Sequence, residues 1–185
     1  MNREHAAKLL HDMHLVLTEY GIRHFLIDGT LLGAVREGDF IAHDLDMDIG
    51  VFAEDWTAMK LFALTTELQK QGIDLVHQLG DFDKYFELAF RRDGIKIDLF
   101  FYRRDGEYRV FHAFRNGGRN LPDDVITYEY NAELIENIKP MYFQNESYPA
   151  PADPIAVLEA KYGHEWRTPV TKWDWADGPN NKRSA

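Results

Sequence analysis

The chain contains no cysteine. That removes disulfides, thiol nucleophiles and thiolate-bound zinc together. Long apolar runs are also missing, and nothing approaches the roughly 18–20 residues needed for a bilayer-spanning helix. In the N-terminal stretch MNREHAAKLLHDMHLVLTEYG, the apolar positions are broken by Lys8, His11, Asp12 and His14, which is not the pattern of a secretory leader. Positive charge is in deficit, with 21 Lys and Arg against 31 Asp and Glu, a formal net charge of −10. So acidic a chain has no general attraction for nucleic acid or an anionic membrane surface. The 8 histidines show no H-x-x-x-H or H-E-x-x-H spacing, which argues against a zinc site. These absences predict a soluble, cytoplasmic protein with no nucleic-acid partner and no membrane insertion.

What is present suits one folded unit. The 185 residues are 45% hydrophobic and 14% aromatic, enough for one sizeable core. Ala6, Leu9, Leu10, Met13, Val16, Leu17 and Tyr20 recur at helical spacing and predict a helix over 3–20, stopped by Gly21. Residues 24–28 read as a buried strand, and Gly29-Thr30 opens a second helix ending near Gly38. Apolar and acidic residues alternate over 45–52, a strand pattern. Trp56, Met59, Leu61, Phe62, Leu64 and Leu68 predict a long helix over 54–71. Strands follow at 73–78, 85–91, 95–102 and 108–114, separated by turns at Gly80, Asp93-Gly94 and Asp105-Gly106. Further short strands are expected at 125–130 and 139–143, a rigid connector at Pro149, Pro151 and Pro154, and a short helix over 155–162. The Trp-rich tail reads as an ordered loop whose last residues, 181–185, fray. The pattern is that of a single α+β domain over 1–185, with a mixed, mostly antiparallel sheet flanked by helices. Its core lies in about 1–145, followed by a Pro/Trp-rich segment.

Three features carry chemistry. On a strand, alternate side chains share a face, so Asp44, Asp46 and Asp48 would lie together. Such a cluster is either a solvated acidic face or a hard-oxygen site for a divalent cation that relieves the repulsion. Asp98 sits in the apolar run IKIDLFF and needs a partner, either Lys96 or an arginine, or else a metal. The turn DGTLLG puts Gly29 and Thr30 at a strand-to-helix junction. Backbone N–H groups there can hold a phosphate, or Thr30 is simply a cap.

In this order the features resemble the nucleotidyltransferase superfamily typified by DNA polymerase β. The stretch LIDGTLLGAVREGDFIAHDLDMDIGV is similar, more narrowly, to the signature of the LicD/fukutin family, as is the C-terminal YGHEWRTPVTKWDW with Asn180. The resemblance implies a nucleotidyltransferase-like fold. It also implies transfer of a phosphoalcohol of the ribitol phosphate, glycerol phosphate or phosphocholine type, from a CDP-alcohol donor to a sugar or glycan hydroxyl. CMP leaves. Asp46, Asp48 and Asp98 would be the catalytic carboxylates and the ligands of Mg²⁺ or Mn²⁺, with Asp98 a metal ligand or the base. Gly29, Thr30, Arg36 and His43 would bind substrate. The acceptor is small, or is held by a partner protein or a second copy of the chain. Two other functions share the motif: a non-catalytic nucleotide- or glycan-binding module, and a plain nucleotidyltransferase that releases pyrophosphate.

For several residues a bland reading stands beside the functional one. Arg36 is a phosphate-facing cation or a helix C-terminal charge. His43 touches substrate or bonds to the backbone, and Asp44 orients a ligand from outside the metal's own shell. Trp166, Trp173 and Trp175 stack on a ring of the substrate or pin the tail to the core. Lys161, Arg167 and Lys172 form a local basic group.

Overall fold

The computed structural model describes residues 1–170 and 172–183. Helix α1 (Arg3–Glu19) buries the predicted stripe, and the Asn2 side chain caps it by accepting from the N–H groups of Glu4 and His5. Short strand β1 (His24–Leu26) leads directly into helix α2 (Asp28–Arg36). Strand β2 (Asp46–Phe52) follows a loop, then helix α3 (Ala58–Lys70). Strands β3 (Asp74–Asp81), β4 (Tyr85–Arg92), β5 (Ile95–Asp105), β6 (Tyr108–Phe114) and β7 (Val125–Asn131) succeed one another. Helix α4 (Ala132–Glu136), strands β8 (Ile138–Phe143) and β9 (Glu146–Pro151), and helix α5 (Pro154–Tyr162) complete the order.

One sheet of seven strands runs β1-β2-β5-β4-β3. Past Tyr102, the end of β5 pairs with β6, which pairs with β7. Only the β2–β5 pair is parallel among these strands. The parallel pairing of two strands far apart in sequence brings the acidic strand beside the strand of Asp98. A separate hairpin joins β8 and β9. One buried cluster runs from Ala6 in α1 to Ala176 in the tail and includes Tyr148, Leu158 and Trp166. The Pro/Trp-rich segment therefore shares the core of the preceding residues. Among the described residues no helix is long and apolar enough to cross a membrane.

Several expectations need correction. The helix expected from residue 54 begins at Ala58, after a 3₁₀ turn over Ala53–Asp55. Asp55 is drawn into that turn by the backbone N–H and the guanidinium of Arg23, and Thr57 then caps the helix. Trp56 is consequently buried in the connector, while Met59 and Phe62 face solvent at 81% and 74% exposure. Gly80 is not a turn. It lies inside β3 at φ +84°, where a Cβ would collide with the Tyr85 carbonyl oxygen, and the chain reverses after Asp81. Pro149 and Pro151 form part of β9 rather than a bare connector, tolerated because a two-stranded hairpin leaves N–H positions outside its ladder. Pro154 opens α5, with Asp153 as its cap. Neither α4 nor β9 is expected from the sequence. The predicted fraying also fails at residues 181–183. Asn181 and Arg183 bond to Glu129 and Thr127 of β7, and Lys182 bridges Tyr128. Ser184 and Ala185 lie outside the described residues.

Candidate active site

Register places the acidic groups. Across the parallel pair, Asp46 lies opposite Lys96 and Asp48 opposite Asp98. The four side chains share one face by alternation, while Met47, Ile49 and Ile97 are buried on the other. Asp44 is not on this strand, which begins at Asp46. It reaches the same place from the loop. A Cβ built on Gly29 would lie 2.8 Å from an Asp44 oxygen and 2.9 Å from an Asp48 oxygen, so only glycine leaves room for both carboxylates.

The turn and the acidic strand are tied to each other. The Gly29 N–H donates to Asp48 Oδ2 at 2.8 Å, and the Asp48 N–H donates to Thr30 Oγ1 at 2.8 Å. Thr30 is buried and outside the cavity wall, its hydroxyl spent on orienting Asp48. Lys96 Nζ stands 3.1 Å from Asp46 Oδ2 and 2.8 Å from Asp98 Oδ2. Among the described residues the buried Asp98 Oδ1 has no hydrogen-bond partner.

Gly29, Arg36, His43, Asp46, Asp48 and Asp98 all line one cavity of about 610 Å³. Arg36 is held there by Glu37 at 2.7 Å and by the Trp166 carbonyl at 3.4 Å. His43 is exposed on the loop that carries Asp44. The tail closes the cavity. Trp166 is buried and pins the segment, whereas Trp173 and Trp175 line the cavity with exposed rings. Arg167 lies over the Trp166 ring at 4.2 Å. Lys161 is no surface charge: it is buried and pairs with Asp28 at 2.6 Å.

The carboxylates resist joint ionisation. Burial, then the charges of Asp28, Asp46, Asp98 and Asp44, raise Asp48 well above the ordinary range. Burial and a hydrogen bond with Asp46 push Asp44 to about 7. Burial also lifts Asp98, to about 6, although Lys96 pulls the other way. Burial disfavours the Lys96 charge, yet Asp98 and Asp46 hold it above its ordinary value. Glu87 on β4 lines the same cavity and is raised to about 8 by burial and by Asp98.

Sequence reasoning missed Glu87, and it gave Lys161 and Asp28 no role as a pair. Glu87 could have been found as Asp98 was, since it is an acid among apolar neighbours in YFELAF. Nothing local marks the Lys161–Asp28 pair, whose members are far apart in the chain. Among the described residues no group of three acidic or histidine side chains stands ready to hold a metal ion. An ammonium fills the gap between Asp46 and Asp98.

Comparison with known proteins follows the same lines. The chain is 27% identical to human ribitol-5-phosphate transferase FKTN over 180 residues, 97% of this chain but 37% of that protein. It is 46% identical to an uncharacterized protein of Rickettsia prowazekii over 159 residues, 86% of this chain and 54% of the other. The chain thus spans between about a third and a half of the length of these relatives. The solution structure of the antibiotic-resistance factor ANT(2'')-Ia superposes with a TM-score of 0.54, covering 94% of this chain and 79% of that one at 12% identity. That likeness shows the fold. Residues 21–153, most of the chain, match the LicD/FKTN/FKRP nucleotidyltransferase domain, and the chain belongs to that family.

Proposed function

We propose that the chain transfers a phosphoalcohol from a CDP-alcohol to a sugar hydroxyl and releases CMP. One observation carries this reading: carboxylates from two strands and a loop meet at the strand-to-helix turn on one wall of a closed-in cavity, with Arg36 beside them. The name of human fukutin, a ribitol-5-phosphate transferase, supports a phosphoalcohol as the group moved.

The residues present fit a hard divalent cation, Mg²⁺ or Mn²⁺. Asp46 and Asp48 offer oxygen donors alone, and their carboxylates lie in each other's fields. A bound cation would neutralise charge on the diphosphate and on the departing CMP. The chain supplies the rest. Thr30 fixes the backbone of Asp48, and the Gly29 N–H fixes its carboxylate. Arg36 presents its guanidinium to a phosphate oxygen. Asp98 Oδ1 takes the proton of the acceptor hydroxyl as its oxygen bonds to the phosphorus distal to the nucleoside. The bond from that phosphorus to the bridging oxygen breaks, and its electron pair leaves with CMP. Phosphoryl-group transfer asks for this kind of positioning and charge neutralisation more than for covalent help.

The test is incubation with CDP-glycerol, CDP-ribitol, CDP-choline or CTP, with Mg²⁺, Mn²⁺ or excess chelator, and a panel of glycoside acceptors. CMP formation from a CDP-alcohol, dependent on cation and acceptor, is the expected result. Pyrophosphate from CTP would identify a plain nucleotidyltransferase, and binding without turnover a binding module. Full activity in excess chelator removes the metal.

A further inference from the structure

Among the described residues three cations reach the cavity wall, and two of them pair with acids other than the strand carboxylates: Lys161 with Asp28 at 2.6 Å and Arg36 with Glu37 at 2.7 Å. Lys96 serves the carboxylates themselves. Its ammonium bridges Asp46 and Asp98, at 3.1 and 2.8 Å, and among the described residues no other cation forms a salt bridge with either. The strands dictate this placement. Lys96 is the register partner of Asp46 across the parallel pair. It also stands two residues before Asp98 on β5, so all three side chains project from one face.

Sites that transfer phosphoryl groups with two metal ions set them about 3.5–4 Å apart, one serving the attacking oxygen and one the leaving oxygen. Here the gap between the carboxylate of β2 and that of β5 already holds a positive charge that belongs to the chain. We propose that Lys96 replaces the second cation of a two-cation site, so that the protein takes up one divalent ion, at Asp46 and Asp48, and keeps Asp98 out of its coordination. The inference rests on the metal-dependent phosphotransfer reading above.

The distribution of charge agrees with this assignment. Among the described residues Asp48 has no cationic partner, and Asp46 meets Lys96 at 3.1 Å, the longer of the lysine's two contacts. One oxygen of Asp48 is held by the Gly29 N–H, which leaves the other for a cation. Asp98 has the complementary arrangement. Its Oδ2 accepts from Lys96, while Oδ1 is buried, unpartnered and left for the acceptor hydroxyl. Lys96 is thus a positioning residue: it acts through Asp46 and Asp98, and no chelator can withdraw it.

Counting Mn²⁺ decides the matter without an assay of turnover. Free Mn²⁺ is titrated by electron paramagnetic resonance against the full chain, without nucleotide, for the wild type, Lys96→Met, Lys96→Gln and Lys96→Arg. Far-UV circular dichroism and a melting curve select the neutral variant that is folded. The expected counts are one ion per chain for the wild type and for Lys96→Arg, and two for the folded neutral variant. Two ions in the wild type, or one in the neutral variant, overturns the role of Lys96 and leaves the metal reading intact. No ion in the wild type overturns both.

Discussion

At the residue scale, the three aspartates of the site should not behave alike. Asp98 Oδ1 is free while Oδ2 is tied to Lys96. Asp98→Asn should therefore leave donor binding nearly intact and lower kcat by roughly 10²–10⁴, the usual range for loss of a general base. Asp46→Asn and Asp48→Asn remove oxygens that would hold the cation against the diphosphate, and should weaken donor binding as well as turnover. Calorimetric donor affinity and kcat on the three folded variants make the comparison. A near-wild-type kcat for Asp98→Asn removes it from the chemistry, and loss of donor binding would make it a metal ligand. Asp46, Asp48 and Asp98 were legible because each breaks an apolar strand with an acid that needs a reason to be there. The Thr30 hydroxyl was not. A threonine after a glycine at a helix start reads as a cap or a phosphate donor, and only the folded chain shows that it accepts from the Asp48 backbone.

At the scale of elements, the sequence showed strands well where one face is buried, since alternation survives in β2 and β5 and Asp-Gly marks the turn at 93–94. It hid elements whose ends depend on distant partners. The start of α3 is set by Arg23 gripping Asp55 from outside the segment. Strand β9 is masked by its own prolines. The link between α5 and the glycine turn is also invisible locally. Lys161 reads with Arg167 and Lys172 as a surface group, yet its ammonium is buried on Asp28, within 5.7–5.8 Å of the Phe111, Tyr128 and Tyr162 rings. Asp28 itself holds φ +49°, a strained conformation for a residue other than glycine, at the first position of α2. The pair fastens the C-terminal helix to the turn that positions Asp48. Lys161→Met would leave a buried carboxylate unpaired and should destabilise the fold by about 3–5 kcal/mol. Adding Asp28→Asn to that variant should recover part of the loss. Urea unfolding of the two variants tests this, and an unchanged midpoint for Lys161→Met would show that the pair holds nothing together.

At the scale of the molecule, concentrating acids on one wall makes stability depend on pH in a direction that can be worked out. Burial raises Glu87 from 4.5 to about 8 and Asp44 from 3.8 to about 7, and with neighbouring acids holds Asp48 well above its ordinary value. Unfolded, all three titrate near pH 4. Above that, and up to their folded values, the native state binds more protons than the unfolded chain, so stability falls as pH rises. Two histidines, the buried His24 and the half-buried His112, oppose this in a lower window. Burial takes His24 and His112 from 6.5 down to about 4, so below pH 6.5 acid protonates them in the unfolded chain first and weakens the fold. Between pH 6.5 and 8 the unfolded histidines pass from half protonated to neutral, a smaller change than that of the acids, which dominate. The metal-free protein should melt at a higher temperature at pH 6.5 than at pH 8. Glu87→Gln, which cannot ionise, should be the more stable protein at pH 8 and should show a smaller gain on acidification. Saturating Mn²⁺ should flatten more of the trend by favouring the ionised carboxylate of Asp48. Melting curves at the two pH values, for both proteins with and without Mn²⁺, supply the comparison. A melting temperature that is flat, or that rises from pH 6.5 to 8 in the metal-free protein, would mean that these acids do not share one low-dielectric wall.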